Sequence, residues 1–150
     1  GMAIFSGAIL QDKRLAFALP LFAMFLSDIM FEAFNIAPGF WGWGQLVGYG
    51  ILALITIIAF NLKKINVRNI FAYSIMSSVL FYLLSNLSFF LIDNPVYHTY
   101  TQDSNGFIQC YVQALPFLRT SLVADLVYSG ILFGAYYAIN NIFIKKRAIA

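Results

Sequence analysis

The chain has 150 residues, of which 61% are hydrophobic and 10% charged, and its net charge is +3. A soluble domain has about a quarter of its residues charged, so this chain lacks the polar surface to cover itself in water and reads as a single integral membrane domain over residues 1–150. The positive charge sits in short clusters, which excludes a nucleic-acid footprint, and the single cysteine, Cys110, excludes an internal disulfide.

In chain order, GMAIFSGAIL (1–10) is apolar but far too short to span. It is expected to be the inner end of a helix whose beginning lies upstream. A membrane helix needs about 20 mostly apolar residues, and four stretches meet that need: 15–34, 45–62, 70–92 and 122–144. The fold class expected is therefore all-α, a polytopic transmembrane helix bundle with four full spans. The segment 107–119 is apolar but short, and Pro116 interrupts it. It is expected to be a re-entrant or interfacial helix, since irregular backbone is tolerated at depth only inside protein or beside a water-filled cavity.

Orientation follows from the basic residues. Lys13 and Arg14 precede the first span, Lys63, Lys64 and Arg68 separate the second and third, and Lys145, Lys146 and Arg147 follow the fourth. The connections 35–44 and 93–106 contain no Lys or Arg. The positive-inside rule places the clusters and the C-terminus in the cytoplasm.

Ionisable residues within spans normally face the bundle interior or a cavity, and by default they mark a functional site. Asp28 and Glu32 share a helical face on the first span. Asn86 lies towards the outer end of the third span, with Ser85 and Ser88, while Arg119 and Asp125 flank the start of the last. All are thereby expected in the outer half. Arg119 can pair with Asp125 or with Asp28 as a structural tie, but three carboxyls against one arginine leave acids for a ligand. Glu32 also reads as merely interfacial. The loop PGFWGWGQ (38–45) places Trp41 and Trp43 among three glycines. It reads either as an aromatic belt or as a glycine-hinged lid whose rings suit a cationic ligand.

Gly44, Gly48 and Gly50 on the second span, and Gly130, Gly134 and Ala138 on the last, allow close helix approach and are expected to serve internal packing. His98, the only histidine, sits in a polar loop and reads as solvated. No metal-ligand spacing, nucleotide loop or nucleophile with its base is present, so neither an enzyme, a metal nor a cofactor is expected.

KRLAFALPLFAMFLSD (13–28), SSVLFYLLSN (77–86) and CYVQALPFLRTSLVADLVYSGILFG (110–134) resemble a family of small bacterial inner-membrane proteins similar to the substrate-binding S components of energy-coupling-factor transporters. The resemblance implies a helical bundle in the bacterial inner membrane that captures a small molecule from outside. It also implies partners, a transmembrane coupling subunit and ATPases, since the chain carries no ATPase motif of its own. The expected function is thus a small-molecule-binding membrane subunit of an uptake system, with Asp28, Asn86, Arg119, Asp125, Glu32 and Trp43 as candidate ligand-binding residues. Two other classes remain open: a structural accessory subunit of a larger membrane complex, and a self-sufficient channel or proton-coupled carrier. The coupling residues of a carrier usually lie near the midplane, and the expected outer-half placement argues against that class.

Overall fold

The computed structural model describes residues 1–36, 38–40, 42–62 and 64–149, with side chains as far as residue 142. Helix makes up 83% of the chain, and no strand occurs among the described residues. In order these are α1 (Met2–Ile9), α2 (Lys13–Ala33), α3 (Trp43–Ala59), α4 (Val67–Ser88), α5 (Asn94–Tyr97) and α6 (Ser104–Ile149). A π-helical turn, Phe89–Asp93, joins α4 to α5.

The starts of α2, α4 and α6 carry capping side chains, which satisfy backbone N–H groups that have no partner within the helix. Asp12 accepts from the N–H of Arg14 at 2.8 Å, and Asn66 from that of Asn69 at 2.8 Å. Asp103 does the same for Gly106 at 2.8 Å and also accepts from the Thr101 hydroxyl at 2.6 Å. These two hydrogen bonds, the Thr101 one foremost, hold the exposed Asp103 carboxyl below the usual carboxylate range.

Three helical runs are long and apolar enough to cross a membrane: Lys13–Ala33, Val67–Tyr97 and Ser104–Ile142. Only 17%, 17% and 11% of their apolar windows are buried inside the chain, so most of those side chains face outward. In water such surface would be an aggregation liability; in lipid it is the ordinary surface of a span. The expected second span is shorter than its sequence window: α3 has 17 residues, about 25 Å at 1.5 Å per residue.

Phe107–Arg119 does not form a separate re-entrant helix. It is the first part of α6, which runs unbroken through Pro116 for 46 residues. A proline costs the helix one N–H and clashes with the preceding turn. Here the residues before it are held against α4, so the helix continues. The Phe90 and Phe107 rings meet edge to face at 5.3 Å, and those of Tyr82 and Tyr111 at 5.7 Å. The Tyr82 hydroxyl donates to the Tyr111 carbonyl at 2.6 Å, and the Tyr111 hydroxyl to the Leu83 carbonyl at 2.9 Å.

α4 and α6 therefore form a long antiparallel pair, and α2 and α3 a shorter one. At one end of the shorter pair Lys13 lies 5.7 Å over the Phe60 ring. α1 wedges between the two pairs. Phe5 packs on Phe133 at 5.3 Å, and a Cβ at Gly7 would stand 2.7 Å from that of Ala59. Ile4, Ile51, Ile55, Ala59 and Phe133 are the buried centre of this packing. Lys13 and Arg14 at the start of α2, and Lys64 and Arg68 at the start of α4, lie at one end of the bundle, called here the basic end. The loop between α2 and α3 lies at the other.

Candidate functional site

Two carboxyls within the helices, the buried Asp28 and the half-buried Asp125, occupy different places. Asp28, near the end of α2, is 7% exposed. Its Oδ2 accepts from the Gln45 amide at 2.7 Å and the Tyr49 hydroxyl at 2.6 Å, both on the first turns of α3. The same Gln45 amide donates to the Gly39 carbonyl at 3.0 Å, while the Gly39 N–H donates to Glu32 at 2.9 Å. The loop is thus latched to α2 at one residue. A Cβ at Gly39 would stand 2.0 Å from the Asp28 carbonyl oxygen, so only glycine permits that approach. The second turn device is Gly42, whose φ of +85° reverses the chain into α3. A shallow surface recess of about 460 Å³ borders Glu32, Asn35 and Phe40.

Asp125 sits on α6 opposite the middle of α4. Its Oδ2 accepts from Ser78 at 2.6 Å and Ser77 at 3.1 Å, and its Oδ1 from the amine of Gly1. One turn further along α6, Ser74 donates to Ser129 at 2.8 Å. Serine and aspartate together make a polar seam along the α4–α6 interface. Beside it lies a cavity of about 790 Å³, walled by Pro20 and Met24 of α2, Leu52 and Ile55 of α3, Phe81 of α4 and Tyr128 of α6. Pro20 and Met24 stand near the middle of α2, as Leu52 does in α3 and Ser78 in α4. The cavity is therefore at mid-depth.

Two sequence expectations change with this geometry. Asp125 is not near the outer end of its helix, because that helix begins at Ser104, about 30 Å before it. Nor does Arg119 tie the bundle together. It is exposed on α6 and makes no ion pair among the described residues. Six residues at 100° each put Arg119 and Asp125 about 120° apart around the helix, where side chains of one helix do not meet.

The remaining candidates are dispersed. Asn86 is half-buried, donating to the carbonyl of Tyr82 in its own helix at 2.8 Å and lying 3.9 Å from the Cys110 sulfur. Trp43 is 73% exposed at the start of α3. Trp41 lies outside the described residues. Asp28 and Glu32 of α2 are brought together against one loop, Asp125 lines the cavity, and Asn86, Arg119 and Trp43 join neither group. His98 is exposed, as expected of a solvated loop residue.

A family model matches residues 1–147. The chain belongs to DUF6580, a family of unknown function. No curated protein and no solved structure matches it. For this DUF6580 protein the arrangement of groups must speak by itself, and it offers one polar anchor in an apolar cavity. Sequence reasoning missed that anchor's donors. Ser74, Ser77 and Ser78 on one span, and Ser121, Asp125 and Ser129 on another, recur at helical spacing. Two matched polar stripes of that kind mark a seam between antiparallel helices.

Proposed function

We propose that this DUF6580 protein is a small-molecule-binding membrane subunit of an uptake system, and that the cavity beside Asp125 is its binding site. The observation that carries the reading is the cavity itself: about 790 Å³ at mid-depth, apolar walls, and one carboxyl with two serine hydroxyls at its edge. Ligand pockets of small molecules have about 300–1,000 Å³ and combine apolar walls with a few placed polar groups. The protein performs no chemistry of its own in this reading. Without an ATPase motif it would depend on partners, and the resemblance to S components supports a coupling subunit and ATPases in that role. α3 completes four spans, the basic end faces the cytoplasm of a bacterial inner membrane, and the C-terminus lies on that side.

The test is a melting screen in detergent against vitamins, their precursors and divalent metals. A compound that binds only the folded state stabilises it by RT ln(1 + [L]/Kd), about 2.7 kcal/mol at a hundredfold excess. At least one should raise the melting point of the wild type, and Asp125→Asn should remove most of that rise while keeping the unliganded melting point. If no compound shifts the wild type, the uptake reading falls.

Arg119 favours a second reading, an accessory subunit of a larger membrane complex. Its guanidinium is exposed on an apolar helix without an ion pair among the described residues. A charge so placed suits an acidic group on a neighbouring subunit. In that reading Arg119→Leu releases the protein from its complex without changing its own melting point, and a complex that survives the substitution would count against it.

A further inference from the structure

We propose that the groove between α4 and α6 at the basic end seats an acyl chain of an anionic phospholipid, with its phosphate held by Lys64 and Arg68. The groove has a volume of about 540 Å³ and runs from Asn66 and Tyr137 to Ser74 and Leu126, with Phe71 on its rim and the buried Phe133 below. It shares no lining residue with the cavity beside Asp125. Gly130 and Gly134 form part of its lining, and a Cβ at either would meet nothing within 4 Å. These glycines were expected to pack helices inside the bundle. They instead leave an open channel on its surface.

Length separates a lipid tail from a protein helix as the occupant. Val67–Ser74 on α4 and Leu126–Tyr137 on α6 span about 10–17 Å. That is the hydrocarbon depth of one leaflet, about half of a 30 Å core. A transmembrane helix would continue through the other half, but there the groove is closed where Ser78 reaches the Ser121 carbonyl and Tyr82 the Tyr111 carbonyl.

Charge selects the kind of lipid. Lys64 and Arg68 are exposed and are the chain neighbours of Ile65 and Val67, which line the end of the groove. The stretches that line the groove, residues 65–74 and 126–137, contain no Asp or Glu, and α6 runs on to Lys145, Lys146 and Arg147. Basic pockets between spans on the cytoplasmic side bind anionic headgroups, and each Lys or Arg near the surface adds about 1 kcal/mol.

The experiment is native mass spectrometry of the full chain in detergent, titrated with dioleoyl phosphatidylglycerol and, separately, dioleoyl phosphatidylcholine. The wild type should retain phosphatidylglycerol in preference. Lys64→Ala with Arg68→Ala, both exposed and so neutral to folding, should weaken that binding roughly 30-fold, the sum of two such contributions. Gly134→Leu fills the groove and should abolish retention of either lipid, whereas a headgroup attracted only to surface charge would be unaffected by it. Equal retention of the two lipids by the wild type overturns the proposal, as does a Gly134→Leu protein that keeps phosphatidylglycerol. Gly134→Cys gives the competing result: a disulfide-linked dimer in native membranes would mean a second copy occupies the groove and the lipid does not.

Discussion

Asp28 and Asp125 are both carboxyls on long apolar helices, and each accepts from two uncharged side chains, Asp125 also from the amine of Gly1. Their surroundings differ. Asp28 is 7% exposed and locked to Gln45, Tyr49 and, through Gln45, the Gly39 carbonyl. The side chain of Asp125 is 27% exposed beside a cavity, and its serine donors have other acceptors nearby. The comparison separates two uses for one residue type. A carboxyl whose donors are fixed by backbone and amide closes a joint, whereas one whose donors can turn away can exchange them for a ligand.

The contrast can be broken most sharply at Gly39. In Gly39→Val the new Cβ collides with a backbone oxygen, which no side-chain rotation relieves. The cost should be about 3 kcal/mol or more, read as the loss of melting temperature or denaturant midpoint in detergent. A mild effect would mean that the loop is not latched at this residue.

The next effect tests the carboxyls themselves. Asp28→Leu removes one of the two acceptors of the buried Gln45 amide and the acceptor of the half-buried Tyr49 hydroxyl, at about 1–3 kcal/mol for the buried amide alone. Asp125→Leu should cost about 1 kcal/mol, because Ser77 still reaches the Ser74 carbonyl at 3.0 Å and Ser78 the Ser121 carbonyl at 3.4 Å. Chemical denaturation of the two variants side by side decides it, and equal losses would erase the distinction between joint and site.

A smaller effect sharpens the account of the seam. A double-mutant cycle of Ser74→Ala and Ser129→Ala should give a coupling of about 0.6 kcal/mol, the average for hydrogen bonds between membrane helices. A coupling near zero would leave the seam to packing alone.

The smallest effect is one of pH, outside the membrane. The Asp103 carboxyl is held low by the Thr101 hydroxyl and then by the Gly106 N–H, so the unfolded chain binds its proton first as pH falls. Its contribution is complete above the ordinary carboxylate pKa and is lost as pH drops through the lower folded value. Hydrogen exchange at the Gly106 amide should accelerate in that range relative to the pH trend of neighbouring amides. Asp103→Asn should remove the dependence.

Much of the architecture was legible in the sequence because it depends on composition and punctuation. Apolar runs of the right length placed α2 and α4, while the caps Asp12 and Asn66 emerged only with the structure. The last helix was misread because Pro116 and Arg119 look like breaks when only their own segment is considered. The aromatic contacts with α4 that carry the helix past Pro116 come from residues some 15–30 positions away in sequence. The same error of starting point moved Asp125 from mid-depth to the outer end. Of the candidate site, Asp28 and Asp125 were visible as charges in apolar surroundings. Their partners were not, since Gln45, Tyr49, Ser77 and Ser78 are unremarkable residues until antiparallel packing sets them opposite a carboxyl.

The unbroken course of α6 makes it a lever. Its 46 residues extend about 69 Å, more than twice the thickness of a bilayer core. Pro116 is the natural fulcrum, because its missing N–H leaves the Val112 carbonyl without its helical bond, and prolines are where helices bend. The arm before it is about 18 Å long and the arm after it about 50 Å. A rigid tilt of α6 about Pro116 would therefore carry the Lys145–Arg147 end through roughly three times the arc of the Ser104 end. Such a tilt would turn a small displacement at the Ser104 end into a larger one at the end that carries Lys145, Lys146 and Arg147.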